Sequence, residues 1–140
     1  GDFQKKFVAA RLEPLENGLT MANLAQELVD TMMSEKSDPN GRQLAFDCMA
    51  DVPAETYRAA VQCIVTFEQR ANLPNIQVPA LVLAGEHDSN APAAMMEKMA
   101  SKIPGCRYVC LAGLGHLANL EDPQIFDAAL SEFIVNASVA

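Results

Sequence analysis

Positive charge is scarce in this chain. Ten Lys and Arg stand against eighteen Asp and Glu, a formal net charge of −8. No segment gathers basic residues into a stripe, which argues against nucleic acid and against an anionic membrane surface as partners. Long apolar runs are missing too, and none approaches the length of a membrane span. The opening Gly1-Asp-Phe-Gln-Lys-Lys6 lacks the apolar core of a signal peptide. The four cysteines make no disulfide framework. Cys106 and Cys110 fall on one expected strand, roughly 13 Å apart when extended, too far for a disulfide. Cys48 and Cys63 fall on helical segments, and all four are expected to be reduced, mostly buried thiols of a cytosolic protein. Their spacing does not suit a thiolate zinc site. Internal repeats and low-complexity segments are absent. Asn136-Ala-Ser138 matches a glycosylation acceptor, a pattern short enough to arise by chance.

Half of the 140 residues are apolar, enough for a real core in a domain of ordinary size. The pattern divides in two. Residues 1–72 read as helices only. Phe3, Phe7 and Ala10 mark one face. Thr20 is an N-cap for a helix carrying Met21, Leu24, Ala25, Leu28, Val29, Met32 and Met33 at helical spacing. Asp38-Pro39 opens a helix through Leu44, Ala45 and Cys48, and Asp51 and Pro53 open another with Tyr57, Val61, Ile64 and Val65 inward. Residues 73–140 change period. After a connector from Asn72 to Pro79, residues 80–84 form an apolar strand of the kind covered on both faces. A helix from about residue 91 presents Met95, Met96, Met99, Ala100 and Ile103. A second strand spans 107–112. Asp122-Pro123 starts a last helix with Ile125, Phe126, Ala129, Leu130, Phe133 and Ile134 inward.

Strand, helix and strand in this order make the two strands parallel and adjacent. Chemistry in open parallel sheets sits beyond the carboxyl ends of the strands. The first strand opens into Gly85-Glu-His-Asp88 and the second into Gly113-Leu-Gly-His116, so Asp88 and His116 are placed at one sheet end. A carboxylate that fixes an imidazole tautomer, and an imidazole that takes a proton from a hydroxyl, are the acid and base of a hydrolytic triad. Gly85, Gly113 and Gly115 allow the sharp turns this needs. Other arrangements are weaker. His87 is expected at the rim, and Glu86 is a substitute acid. A metal site from His87, Asp88, His116 and Glu121 lacks a close ligand pair on one helix.

The segment from Ile76 to Ile134 resembles the C-terminal portion of α/β-hydrolases. The carrying motifs are Val78-Pro-Ala-Leu-Val-Leu-Ala-Gly-Glu-His-Asp88 and Gly113-Leu-Gly-His-Leu-Ala-Asn-Leu-Glu-Asp-Pro123, and they look closest to the enol-lactonase and carboxylesterase-like branch. The resemblance implies an α/β fold in which residues 1–72 are a helical cap-like segment. Residues 73–140 would be the C-terminal part of the core, two parallel strands with covering helices. It also implies that Asp88 is the acid and His116 the histidine of a catalytic triad, with no cofactor and no metal.

The family's nucleophile lies upstream in Gly-x-Ser-x-Gly. No such motif occurs here. Ser34, Ser37, Ser89, Ser101, Ser131 and Ser138 all lack the flanking glycines. The expectation is therefore a fragment with an intact C-terminus and a cut N-terminus. Its parent would be a serine hydrolase acting on a small carboxylic ester, lactone or related carbonyl compound, and the segment alone would be inactive. The alternative is a non-catalytic ligand-binding or interaction module of the same fold. An apolar strand without its upstream neighbour should not stay in water, so the isolated chain is expected to form a homo-oligomer.

Overall fold

The computed structural model describes residues 2–137. The N-terminal half is helical: α1 (Asp2–Glu16), α2 (Met21–Met32), α3 (Pro39–Ala50) and α4 (Ala54–Thr66). A short 3₁₀ turn, Arg70–Asn75, leads to β1 (Leu81–Gly85), α5 (Ala93–Ala100), β2 (Arg107–Leu111), α6 (Ala118–Glu121) and α7 (Pro123–Ala137). β1 and β2 pair in parallel, Leu81 opposite Arg107 and Gly85 opposite Leu111. The expected strand–helix–strand unit is present, with the first strand shifted one residue toward the C-terminus. Among the described residues no helix is long and apolar enough to cross a membrane.

Local signals set the starts of α2 and α3. Thr20 accepts a bond from Asn23 N at 3.2 Å while the Asn23 side chain accepts from Thr20 N at 3.1 Å. This reciprocal pair satisfies two helix-end donors. Asp38 accepts from Asn40 N at 2.8 Å, with Pro39 in the first turn of α3. Asp51 departs from expectation: it caps the end of α3, and Pro53 precedes α4 without a side-chain cap.

Side chains meet in small clusters. Leu15, Met21, Leu24 and Leu28 form one, with Tyr57 and Met49 against it. Val29, Met33 and Ala45 form another, onto which Leu117 from the loop after β2 and Leu120 from α6 fold. That second cluster docks the helices onto the strands' C-terminal side. Gly41 permits the contact, because a Cβ there would lie 1.8 Å from the Leu120 carbonyl oxygen. The third cluster, Leu111, Leu114 and Ala118, receives Phe126 and Ala129 of α7.

Several residues expected inside are not. Ile64 is 62% exposed, because α4 is covered mainly by α1 and buries Val61 alone. Met95, Ile125 and Ile134 are also exposed; a two-stranded sheet is too narrow to cover the apolar face of a fifteen-residue helix such as α7. Leu44 and Ala10 face solvent, and Leu81 and Leu83 are half-buried rather than covered on both sides. The cysteines correct the sequence reading most directly: Cys48, Cys63 and Cys110 are exposed, Cys106 is half-buried, and all are unpaired. The Phe3 side chain and the Ser138 of the glycosylation pattern lie outside the described part.

Leu24 and Leu44 provide a stability test. Leu24 is buried and Leu44 is half exposed. Leu24→Ala is expected to cost about 2–5 kcal/mol in urea unfolding, and Leu44→Ala less than about 0.5 kcal/mol. Equal costs would contradict the packing described.

Candidate functional site

The two strand ends are joined main chain to main chain. Glu86 N donates to Leu111 O at 3.0 Å and His87 N to Leu114 O at 2.8 Å. Gly85 sits so close to the second loop that a Cβ would fall 2.1 Å from Gly115 O. Gly113 adopts φ +75°, a left-handed conformation that side-chain-bearing residues avoid. These contacts bring the loop after β1 and the loop after β2 to one place.

Asp88 and His116 meet there. Asp88 Oδ2 lies 2.9 Å from His116 Nδ1. The other oxygen, Oδ1, accepts from Asn90 N at 2.8 Å and Ala91 N at 2.9 Å. The Asp88 side chain is 6% exposed and that of His116 36% exposed, so the carboxyl is enclosed while the ring reaches open space. Burial pushes the Asp88 carboxyl up, but bonds from Ala91 N, His116 and Asn90 N outweigh it, and its pKa is lowered overall. A carboxylate on Nδ1 favours the tautomer with Nδ1 protonated, which leaves Nε2 free to accept a proton.

The histidine is also held from below. His116 N donates to Met32 O at 2.7 Å, at the end of α2. Glu121 is 3% exposed, and its carboxyl accepts from Gly115 N at 2.9 and 3.0 Å and from Ser34 N at 2.8 Å. The Ser37 hydroxyl lies 3.1 Å from Glu121 Oε2. Glu121 thus ties the histidine loop to the segment between α2 and α3. In the sequence Glu121 stands out only as a conceivable metal ligand. Its one signal is its place between Leu120 and Asp122-Pro123, just after the histidine loop.

The other candidates are not brought to the pair. His87 is exposed. Glu86 accepts from Gly113 N at 2.8 Å and so braces the two loops rather than orienting the ring. Among the described residues no group of three or more His, Cys, Asp or Glu is arranged to hold a metal ion, so His87, Asp88, His116 and Glu121 do not assemble.

A cavity of about 360 Å³ borders His116, walled by Leu28, Met32, Tyr57 and Val61 from the helices. That volume falls in the range of small-molecule sites.

No protein-family model matches the chain. It is 31% identical over 129 residues to 3-oxoadipate enol-lactonase 1 of Acinetobacter baylyi, covering 89% of this chain and 47% of that protein. Among solved structures it superposes on the enol-lactonase from Burkholderia xenovorans with TM-score 0.83 and 26% identity, over 93% of this chain and 50% of the other. It superposes on a thermophilic esterase from Thermogutta terrifontis with TM-score 0.78 and 25% identity, over 97% and 50%. The chain therefore spans about half the length of these relatives.

The lowered Asp88 pKa has a sign that can be measured. A carboxyl with a folded pKa below its unfolded value stabilises the fold above the ordinary carboxylate range. That contribution is lost as pH falls through the lowered folded midpoint. Carboxyl-carbon NMR should place the Asp88 midpoint below the ordinary Asp value, and His116→Ala should raise it. A midpoint at or above the ordinary value would contradict the bonding described.

Proposed function

We propose that this chain of the α/β-hydrolase superfamily, matched along the C-terminal part of that fold, supplies the acid and the histidine of a serine-hydrolase triad. In this reading His116 Nε2 takes the proton from an attacking hydroxyl and later returns it to the leaving group. Asp88 holds the ring in the right tautomer and stabilises the imidazolium. The observation that carries the reading is the 2.9 Å contact of Asp88 with His116 Nδ1 beyond the carboxyl ends of two adjacent parallel strands. The substrate class is a small carboxylic ester or lactone, in keeping with the enol-lactonase and esterase relatives.

The nucleophile and the donors of an oxyanion hole would come from residues outside these 140. None of the serines stands in Gly-x-Ser-x-Gly. Residues 1–72 would act as a cap, with α1, α2 and α4 walling the cavity above His116. The open edge of β1, where the main-chain groups of Leu81 and Leu83 face away from β2, would pair with a further strand of a longer chain, or with a second copy in the isolated segment. Four unpaired thiols fit a reducing compartment such as the cytosol.

In the full-length protein, Asp88→Asn should lower kcat on simple aryl esters by roughly 10⁴, because the tautomer is no longer enforced. His116→Ala should be at least as damaging, and the 140-residue chain alone should show no turnover. A loss below tenfold in Asp88→Asn would reassign the acid, and no activity in the intact protein would favour a ligand-binding module.

A further inference from the structure

Glu121 carries a carboxyl into the interior, yet among the described residues no Lys, Arg or His forms an ion pair with it. Neutral donors alone hold it. Oε1 and Oε2 share the Gly115 amide at 2.9 and 3.0 Å, and Oε2 also accepts from Ser34 N at 2.8 Å and meets the Ser37 hydroxyl at 3.1 Å. Its main-chain carbonyl accepts from Asp38 N at 3.0 Å. Burying a carboxyl on neutral partners is costly. The triad chemistry makes no direct use of it, since Asp88 is the group that meets the ring at Nδ1.

What Glu121 does hold is the backbone that carries the ring. Gly115 N and His116 N are consecutive amides, and each is taken by an acceptor. Glu121 takes the first, and Met32 O takes the second at 2.7 Å. Peptide units are planar, so fixing the two that lead into His116 leaves its Cα–Cβ bond little freedom. Space is as restricted as the bonding. A Cβ on Gly115 would lie 2.7 Å from Met32 O and 2.9 Å from Glu121 Oε1. The acid's loop has a lesser tie to the helices, a single bond at the surface from Arg11 of α1 to Asn90 Oδ1 at 3.2 Å. We propose that Glu121 is a positioning residue for His116, aiming the imidazole so that Nδ1 meets Asp88 and Nε2 faces the reacting atoms. This deepens the hydrolase reading above and rests on it. The segment between α2 and α3 then takes part through Ser34, whose amide completes the bonding of Glu121. Disturbing that bonding slows the chemical step rather than weakening substrate binding.

Glu121→Gln separates positioning from a purely structural pin. Both carboxyl oxygens lie on Gly115 N, so either orientation of the amide sets an NH2 group 2.9 or 3.0 Å from that N–H. One bond becomes a clash of donors. In the full-length protein kcat on simple aryl esters should fall roughly 10–100-fold with KM little changed. The downfield Nδ1 proton of His116 should weaken or vanish in the NMR spectrum. Leu24→Ala loosens a core cluster that has no bond to the histidine loop. It should lower the urea midpoint and leave kcat and the ring proton as they are. Gly115→Ala reaches the same backbone with Glu121 in place, should reproduce the loss of kcat, and carries the test if Glu121→Gln does not fold. A folded Glu121→Gln with wild-type kcat and ring proton would overturn the proposal, as would a rise in KM with kcat held. A loss of kcat matched by Leu24→Ala at equal loss of stability would make Glu121 a structural pin and overturn it too. If the wild-type protein turns over no ester, the hydrolase reading fails and the ring spectrum alone decides. A ring proton that survives in folded Glu121→Gln overturns the positioning role, and one that is lost supports it.

Discussion

The arrangement depends on a main-chain contact that leaves no room for a side chain at Gly85. There the end of β1 runs against the loop carrying His116, with space for a hydrogen and not for a methyl. Two backbone bonds from Glu86 and His87 to Leu111 and Leu114 fix the register of the two loops. Once that register is fixed, Asp88 and His116 have little choice but to meet. The pairing of imidazole and carboxyl is a consequence of parallel strands ending level with one another, since Gly85 and Leu111 are direct partners.

Glu121 extends the constraint to the helices. A buried carboxyl whose partners are removed costs far more than the net value of its bonds, so the Gly115 and Ser34 amides and Glu121 stand or fall together. This links the histidine loop to the end of α2, while His116 N on Met32 O provides a second tie at the same place. The helical half is therefore not a loose appendage. Its α2–α3 segment is bonded to the loop that presents the imidazole, and Val29, Met33 and Ala45 pack against Leu117 and Leu120, which follow that histidine. The wall of the cavity and the orientation of His116 are set by the same contacts.

Much of this was legible in the sequence where the cause is local. Thr20 and Asp38 announce helix starts because their side chains bond to amides two or three residues away. Asp88 and His116 stand out because two apolar runs around a helix imply parallel neighbours, and each run opens into glycine. What escaped depends on distant surfaces. Glu121 meets Ser34 across 87 residues and Arg11 meets Asn90 across 79, and no periodicity reports such pairs. The expected burial of Ile64, Ile134 and the cysteines failed for a related reason. Apolar spacing marks the face a helix would bury, but the surface that would bury it must exist, and two strands offer little of it.

Asp88, in the proposed role, fixes the tautomer and direction of the His116 ring. The direct measurement is the ¹⁵N-edited spectrum of that ring in the neutral state, compared with Asp88→Asn. The expected result is a proton on Nδ1, shifted downfield by its bond to Asp88, an unprotonated Nε2, and loss of that shift in the variant. A neutral ring protonated at Nε2, or an Nδ1 signal indifferent to Asp88→Asn, would contradict it.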